Sequence, residues 1–588
     1  MDTAHYGVGR SVDVVFTSRR LSWSASVLVF PILVSSTLAD GLSPRASGRD
    51  TTGPNAQAWL VDITSDAGLQ FRHRSGFDGS YHLAEIMGPG CGLFDYDGDG
   101  DLDILLIDGG EHPSRGRGTA AVTSRLWRQE QGGRFVDVTA RARLSNHGYG
   151  MGCAVGDYNN DGRPDVYFTN YGPDRLFRNN GDGTFTDVTL AAGIRAVDWS
   201  VSATFVDYDC DGLLDLYVAC YVAKSGEKLC SDAAGRPDYC GPASLPPVSD
   251  LLFRNTGGGV FRDVSREVGI TDHPRRGLGV TAIDFDDDGR PEIYVANDGE
   301  ANQLWSSRSD GTFVDRAMFL GLAFNGAGQP EASMGIAVGD ANHDTRIDFF
   351  LTHLTGETNT LYVNRGRAGF DDATPVCGTA AGGLETTGFG VGLIDFAHDG
   401  CLDLIVANGA VARERAKPGC TLQAPFNGYA QPNTLLRGSG NRQFENPGRA
   451  AGDFGGPIEI SRGLAFGDID RDGDIDVLLA QCEGNVRLYR NDAPKRGHWL
   501  SVRARHAGSG RDAYGATVRL LLGGRSLTGV VNPAIGYASS SDPRVHFGLG
   551  DADRVERIEV ACPCGGRQTF PGGGVDRFVE LELTECRP

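Results

Sequence analysis

A nine-residue acidic segment occurs seven times along this 588-residue chain: DYDGDGDLD from Asp95, DYNNDGRPD from Asp157, DYDCDGLLD from Asp207, DFDDDGRPE from Asp284, DANHDTRID from Asp340, DFAHDGCLD from Asp395 and DIDRDGDID from Asp468. The copies lie 50 to 77 residues apart, a period that belongs to propellers, solenoids and arrays. A short Gly-rich apolar run precedes each copy, such as 151–156, and a β-branched or aromatic run follows, such as 166–169. A third run (175–179), a Gly-Asp-Gly turn and a fourth run (185–189) complete the unit. Runs this short, bounded by turns, are strands. Four strands make one blade, so the repeat predicts an all-β fold: a seven-bladed β-propeller over 58–492 and a small C-terminal β domain over 493–588. The last repeat passes into His498-Trp499-Leu500 without a fourth strand of its own, and the run 59–64 ahead of the first loop can supply it. The two ends of the ring are therefore expected to share a blade, leaving no open edge.

The side chains at positions 1, 3, 5 and 9 are oxygen donors in every copy but the sixth, which lacks the one at position 3, and a turn residue, Gly in six copies, stands at position 6. Hard oxygens at alternating positions wrap a hard cation, and several flexible anionic ligands select calcium over magnesium. The expected ligands are Asp95, Asp97, Asp99, Asp101 and Asp103 in the first loop, and Asp157, Asn159, Asp161, Asp165 and the Arg163 carbonyl in the second. The third offers Asp207, Asp209, Asp211, Asp215 and the Leu213 carbonyl; the fourth offers Asp284, Asp286, Asp288, Glu292 and the Arg290 carbonyl. The fifth has Asp340, Asn342, Asp344, Asp348 and the Arg346 carbonyl, but Thr345 replaces the turn glycine. The sixth keeps Asp395, Asp399 and Asp403 and has Ala397 at position 3, which leaves a weak site and an empty turn both open. The seventh offers Asp468, Asp470, Asp472, Asp474 and Asp476. The expectation is five to seven Ca2+ sites. An EF-hand would place a bidentate Glu at position 12, where this chain has apolar residues such as Leu106 and Leu479.

The formal charge is -21, and the seven segments hold 28 acidic residues and four arginines, so the remainder of the chain is slightly basic. Excess acidity confined to the loops argues against a generally acidic solvated face. It also excludes a basic nucleic-acid or phospholipid binder. Arg19-Arg20, an apolar stretch to Leu38 and a small residue at Ala39 form a signal-peptide pattern over 1–39, followed by a linker over 40–57. No later stretch is apolar enough to span a bilayer. The expected location is secreted or cell-surface, periplasmic or extracellular, with no membrane insertion of the mature chain. Thirteen cysteines suit an oxidising compartment, and Cys230 and Cys240 are the expected intrachain pair.

These loops resemble the FG-GAP/VCBS repeats of integrin α-chain propellers. Asp512-Ala513-Tyr514-Gly515-Ala516, Gly536-Tyr537 and the run 542–550 are similar to the ASPIC/UnbV domain, and the combination resembles the cartilage acidic protein 1 family. The resemblance implies an extracellular calcium-binding protein with adhesion or matrix-related roles and no established enzymatic reaction. Where the family has Trp-Pro-Ser-Gly this chain has Cys562-Pro563-Cys564-Gly565, whose two cysteines can hold a metal or pair elsewhere, for example with Cys586; a structural disulfide is the preferred reading. In integrin-like blades the face opposite the calcium hairpins carries the segments entering the first strand and leaving the second. Here those segments hold His147, Tyr149, Trp199, Arg275, Arg276, Glu331, Phe389 and Arg462, with Asn297, Asp298 and His353. They are the candidates for binding an extracellular protein or glycan. Two other readings stand beside a recognition or adhesion module: a propeller enzyme, a polysaccharide lyase or hydrolase using the central funnel, and a structural surface or matrix component. The pair His73 and Glu85 is the one candidate acid and base, and no nucleophile elbow, HExxH or phosphate loop accompanies it.

Overall fold

The computed structural model describes residues 57–112, 124–224 and 228–584. The signal-peptide pattern and Cys586 lie outside the described residues. Seven four-stranded antiparallel sheets follow the seven repeats. Their first strands are β1 (Cys91–Phe94), β2 (Gly150–Gly156), β3 (Ser200–Val206), β4 (Gly277–Ile283), β5 (Ile336–Gly339), β6 (Gly388–Ile394) and β7 (Ser461–Gly467). Each touches the next in order, and β7 touches β1, so the first strands line a closed ring around one axis. Closure follows the expected route: Leu60–Asp62 pairs antiparallel with Arg487–Asn491 as the outer strand of the last blade.

Side chains alternate across each strand, and both faces of a blade are buried against its neighbours. Ala154, Tyr167 and Leu176 of the second blade, for example, share one core with Ala203, Phe205, Leu216 and Phe253 of the third.

The C-terminal domain is two sheets around a core of its own. In the first, β8 (His498–His506) lies between antiparallel Val545–Gly550 and parallel Arg577–Leu583. In the second, Thr517–Leu522 lies between Arg525–Val530 and Arg554–Cys562, and Gly566–Gly574 follows at the edge. This domain and the propeller form one compact unit. Among the described residues no helix is long and apolar enough to cross a membrane.

Candidate cation loops and the two ends of the channel

Every acidic loop joins the first strand of a blade to the second, and its ninth residue is the first residue of that second strand: Asp103, Asp165, Asp215, Glu292, Asp348, Asp403 and Asp476. Positions 4 and 6 take positive φ in all seven copies, for example Cys210 at 62° and Gly212 at 86°, or His398 at 57° and Gly400 at 85°. Thr345 adopts φ 71° in the fifth loop, where a β-branched residue is strained. The first carboxylate holds this turn through backbone amides. Asp207 accepts from Asp211 N at 3.1 Å and Gly212 N at 3.0 Å, and Asp395 accepts from Asp399 N at 3.2 Å and Gly400 N at 2.7 Å.

The donor sets differ in what those amides leave over. Single oxygens of Asp95, Asp97 and Asp99 lie within 4.8 Å of one another, and so do those of Asp207, Asp209 and Asp215, of Asp284, Asp286 and Glu292, and of Asp468, Asp470 and Asp476. Buried oxygens without a hydrogen-bond partner point from Asp97, Asp165, Asp209, Asp286, Glu292 and Asp468. They fall in the first, second, third, fourth and seventh loops; the fifth and sixth have none among the described residues. An orphaned buried carboxylate oxygen is costly, and a hard cation satisfies several at once. Burial, reinforced by the neighbouring carboxylates, pushes the Asp103 carboxyl up to about 8 and that of Glu292 up to about 9. The residues of these five loops therefore fit Ca2+. In the sixth, Ala397 is 1% exposed and packs in the core beside Phe396, while Asp399 is paired with Arg437 at 3.2 Å and Arg496 at 3.6 Å.

One functional position escaped the reading of the repeat. The third strand of several blades ends in Asn, and this residue joins consecutive blades. Asn179 Nδ2 donates to Tyr96 O of the preceding loop at 2.7 Å, and Asn255 to Tyr158 O at 2.7 Å. Asn364 donates to Phe285 O and Asn491 to Phe396 O, both at 3.1 Å; Gln129 reaches Ile469 O at 3.0 Å across the ring closure. The same residue's backbone amide binds the ninth-position carboxylate, as in Asn179 N to Asp165 at 2.7 Å. That carboxylate is thus a strand staple as well as a candidate ligand. The recurring Leu-Phe-Arg-Asn and Leu-Tyr-Arg-Asn strings were the available signal.

The expected open funnel is absent. A finger, residues 532–541 of the C-terminal domain, enters the channel from the loop side and pairs with the inner edges of the blades. Gly536 and Ile336 exchange backbone hydrogen bonds, Leu93 N donates to Ser540 O at 2.9 Å, and Cys153 N donates to Ala538 O at 3.1 Å. The inner strands leave backbone groups facing the axis, and the finger satisfies them. Gly152 makes room for it, since a Cβ there would stand 2.5 Å from Ala538 O. At the opposite end Tyr537 meets the short helix of Ala84–Met87, its hydroxyl donating to Met87 O at 2.9 Å. Insertions from the third and sixth blades close over that helix, with Asp238 accepting from Arg413 N at 3.0 Å and from the Tyr429 hydroxyl at 2.5 Å.

This closure corrects the partner surface. Tyr149, Trp199, Asn297, Asp298, Glu331, His353, Phe389 and Arg462 are buried. Tyr149 donates to Ser75 O at 2.7 Å, Trp199 packs edge-on between Tyr171 and Tyr221, and Asp298 accepts from the Tyr221 hydroxyl at 2.5 Å. Arg462 lies 3.9 Å from the centre of the Phe389 ring and donates to the carbonyls of Ile86, Gly409, Ser461 and Ala410. Asn297 donates to Ala301 O at 2.9 Å, and Glu331 accepts from Thr360 at 2.9 Å, 3.5 Å from His353. Arg276 pairs with Glu300 at 2.8 Å and Arg275 is half-buried; His147 is exposed. His73 and Glu85 are both buried, so they offer a substrate no acid–base pair.

The C-terminal domain covers the loop end. Cys564, in the turn that departs from the family pattern, is disulfide-bonded to Cys210 at position 4 of the third loop, and its amide donates to Gly289 O of the fourth. His546 meets Gly473 O of the seventh at 2.9 Å. Cys230 and Cys240 form the expected pair.

Residues 95–168, 157–218 and 284–351 match the FG-GAP-like repeat, and residues 506–587 match the ASPIC and UnbV family. Cartilage acidic protein 1 of Homo sapiens is 28% identical over 340 residues, 55% of this chain and 46% of that protein. The Xenopus tropicalis protein of that name is 25% identical over 495 residues, 81% of this chain and 70% of its own length. The chain spans about half the length of the human and mouse relatives, 46% and 48%. A solved Agrocybe aegerita lectin structure, described as recognising non-reducing terminal N-acetylglucosamine, has a TM-score of 0.38 at 14% identity, covering 69% of this chain and 92% of its own.

Proposed function

We propose that this chain, with its FG-GAP-like repeats and ASPIC/UnbV domain, is an extracytoplasmic recognition or adhesion module stiffened by calcium. The observation that carries the calcium half is the set of buried, unpartnered carboxylate oxygens in five of the seven loops. In those loops Asp97, Asp209, Asp286, Asp165, Glu292 and Asp468 would hold the ion. Its two charges would offset carboxylates that otherwise repel one another and would tie the first strand of each blade to the second. The disulfides Cys210–Cys564 and Cys230–Cys240 support an oxidising location.

Recognition then belongs to the outer surface rather than to the channel. Two insertions, around 228–247 and 411–430, meet over the end away from the loops, where Arg236, Arg413, Glu414, Arg415, Pro425 and Asn427 line a cleft and Arg236 is paired with Asp232 at 2.7 Å, leaving the cleft with more arginines than carboxylates. Arg415 and Arg236 are exposed. Guanidinium groups presented in this way fit an acidic protein segment or an acidic glycan. The closed channel, with its titratable groups buried, favours binding over catalysis.

The test has two parts. Residues 40–588 are unfolded thermally with millimolar calcium and with chelator while bound calcium is counted. Arrays of extracellular glycans and proteins are then probed with the wild type and with Arg236→Glu/Arg415→Glu. Five bound ions, a calcium-dependent rise in unfolding temperature and capture lost in the double variant are the expected results. Calcium that neither binds nor stabilises overturns the calcium half; capture indifferent to the two arginines overturns the assigned surface.

A further inference from the structure

Between the second and third loops the C-terminal domain places one arginine, Arg511, that forms no ion pair among the described residues. Arg511 is only 6% exposed, and its Nε and one terminal nitrogen have no hydrogen-bond acceptor. Among the described residues no carboxylate lies within ion-pair distance of it, whereas Arg503 beside it is paired with Asp512 at 2.8 Å. Arg511 lines two cavities at once. One also holds Asp157 and Gly162 of the second loop; the other holds Asp207, Asp211 and Gly212 of the third and Asn160 of the second. Burial holds the Arg511 guanidinium below its usual range, and the carboxylates of Asp207 and Asp157, at position 1 of the two loops, oppose that shift. The backbone that carries it is pressed against the loops: a Cβ on Gly162 would stand 3.1 Å from Ser509 O. The disulfide from Cys210 in the third loop to Cys564 ties the same domain to the same place.

A guanidinium buried without a partner is unfavourable unless nearby negative charge offsets it, and here that charge is supplied by the two cation loops. The second and third loops carry seven carboxylates, Asp157, Asp161, Asp165, Asp207, Asp209, Asp211 and Asp215, and the one arginine Arg163. Two Ca2+ ions would leave this pair of loops still negative. A positive charge beside them thus draws the domain onto the loops with or without calcium. The same charge repels a cation entering either loop.

We propose that Arg511 is a tethered counter-cation shared by the second and third loops, holding the C-terminal domain against them and lowering their affinity for calcium, so that domain docking and calcium binding oppose each other at these two sites. The proposal rests on the calcium reading and goes further, assigning those loops a regulator within the chain.

Calcium binding to the full mature chain is followed calorimetrically for the wild type, Arg511→Gln and Arg511→Lys, with hydrogen exchange of 507–514 read in parallel. In Arg511→Gln two of the sites should tighten by about fivefold or more, a typical size for coupling between two sites, while the others stay unchanged and exchange in 507–514 rises. Arg511→Lys, which keeps the charge, should stay within about twofold of wild type by the same reasoning. Should Arg511→Gln not fold, Arg511→Met, which keeps the apolar stem, carries the same expectation. Unchanged or weakened sites in the uncharged variants, or a lysine variant that behaves like them, overturn the proposal and leave the calcium reading standing. Absence of bound calcium from all of the proteins overturns both.

Discussion

The third and sixth loops have the same backbone and different chemistry. Both turn through left-handed residues at positions 4 and 6, and both hold that turn by two amides donated to the first carboxylate. In the third, Asp209 at position 3 leaves a buried oxygen unpartnered, and Asp207, Asp209 and Asp215 bring their oxygens together. In the sixth, the side chain at position 3 is the methyl of Ala397, packed in the core; arginines reach carboxylates of both loops, Arg254 meeting Asp209 at 2.6 Å in the third and Arg437 meeting Asp399 at 3.2 Å in the sixth, so the missing donor is what separates them. The turn therefore forms through its own hydrogen bonds whether or not the donor set is complete. Loop shape says nothing about a cation; the third side chain does.

The broadest test of this contrast is chelation. A site held at about 100 times its dissociation constant adds about 2.7 kcal/mol, so five such loops should shift unfolding of a unit this large by roughly 10 °C on removal of calcium, read by calorimetry. A smaller shift with five ions bound would mean that the amides alone stabilise the third loop as they do the sixth. Single-loop changes come next. Asp209→Ala should remove one bound ion and about 2.7 kcal/mol of calcium-dependent stability, whereas Asp399→Ala should leave the ion count unaltered; equal losses would erase the distinction between the two loops.

The Asn staples separate blade cohesion from cation binding. Asn255→Ala removes hydrogen bonds to Tyr158 O and Leu214 O, and should cost about 1–3 kcal/mol in calcium and in chelator alike. A loss seen only with calcium would show the staple acting through the loop. The smallest effect is expected from Ala397→Asp. It restores the missing donor of the sixth loop and should add one weak ion, widening the gap between calcium and chelator by about 1 kcal/mol. If no ion is gained, Arg437 and Arg496 rather than Ala397 keep the sixth loop from acting as a site.

Much of this was legible in the repeated segment. Its flanks foretold four strands per blade, and the run 59–64 foretold the closure that Leu60–Asp62 makes with Arg487–Asn491. The β-branched or aromatic run after each copy foretold a strand there, and the ninth-position carboxylate begins it in all seven blades. What was missed has a common cause. The Asn staple was visible in the strings but acts on the preceding blade, and the buried state of Trp199, Phe389 and Arg462 depends on residues 81–87 and 532–541, outside the repeat. The Cys562-Pro563-Cys564 turn was read as a disulfide site with Cys586 as an example of a partner, and Cys564 instead meets Cys210, 354 residues away.

By itself the sequence determined what repeats: the blade, the order of the ring, its closure and the oxygen donors of each loop. Those follow from strand periodicity and from spacings of a few residues, which the local chain enforces wherever the segment occurs. Only the tertiary structure decided what closes each end of the channel, where Arg511 comes to lie and which cysteine Cys564 meets. Each of those contacts occurs once, between segments hundreds of residues apart. They are selected by the burial and hydrogen bonding available after the blades have assembled, so no periodicity announces them.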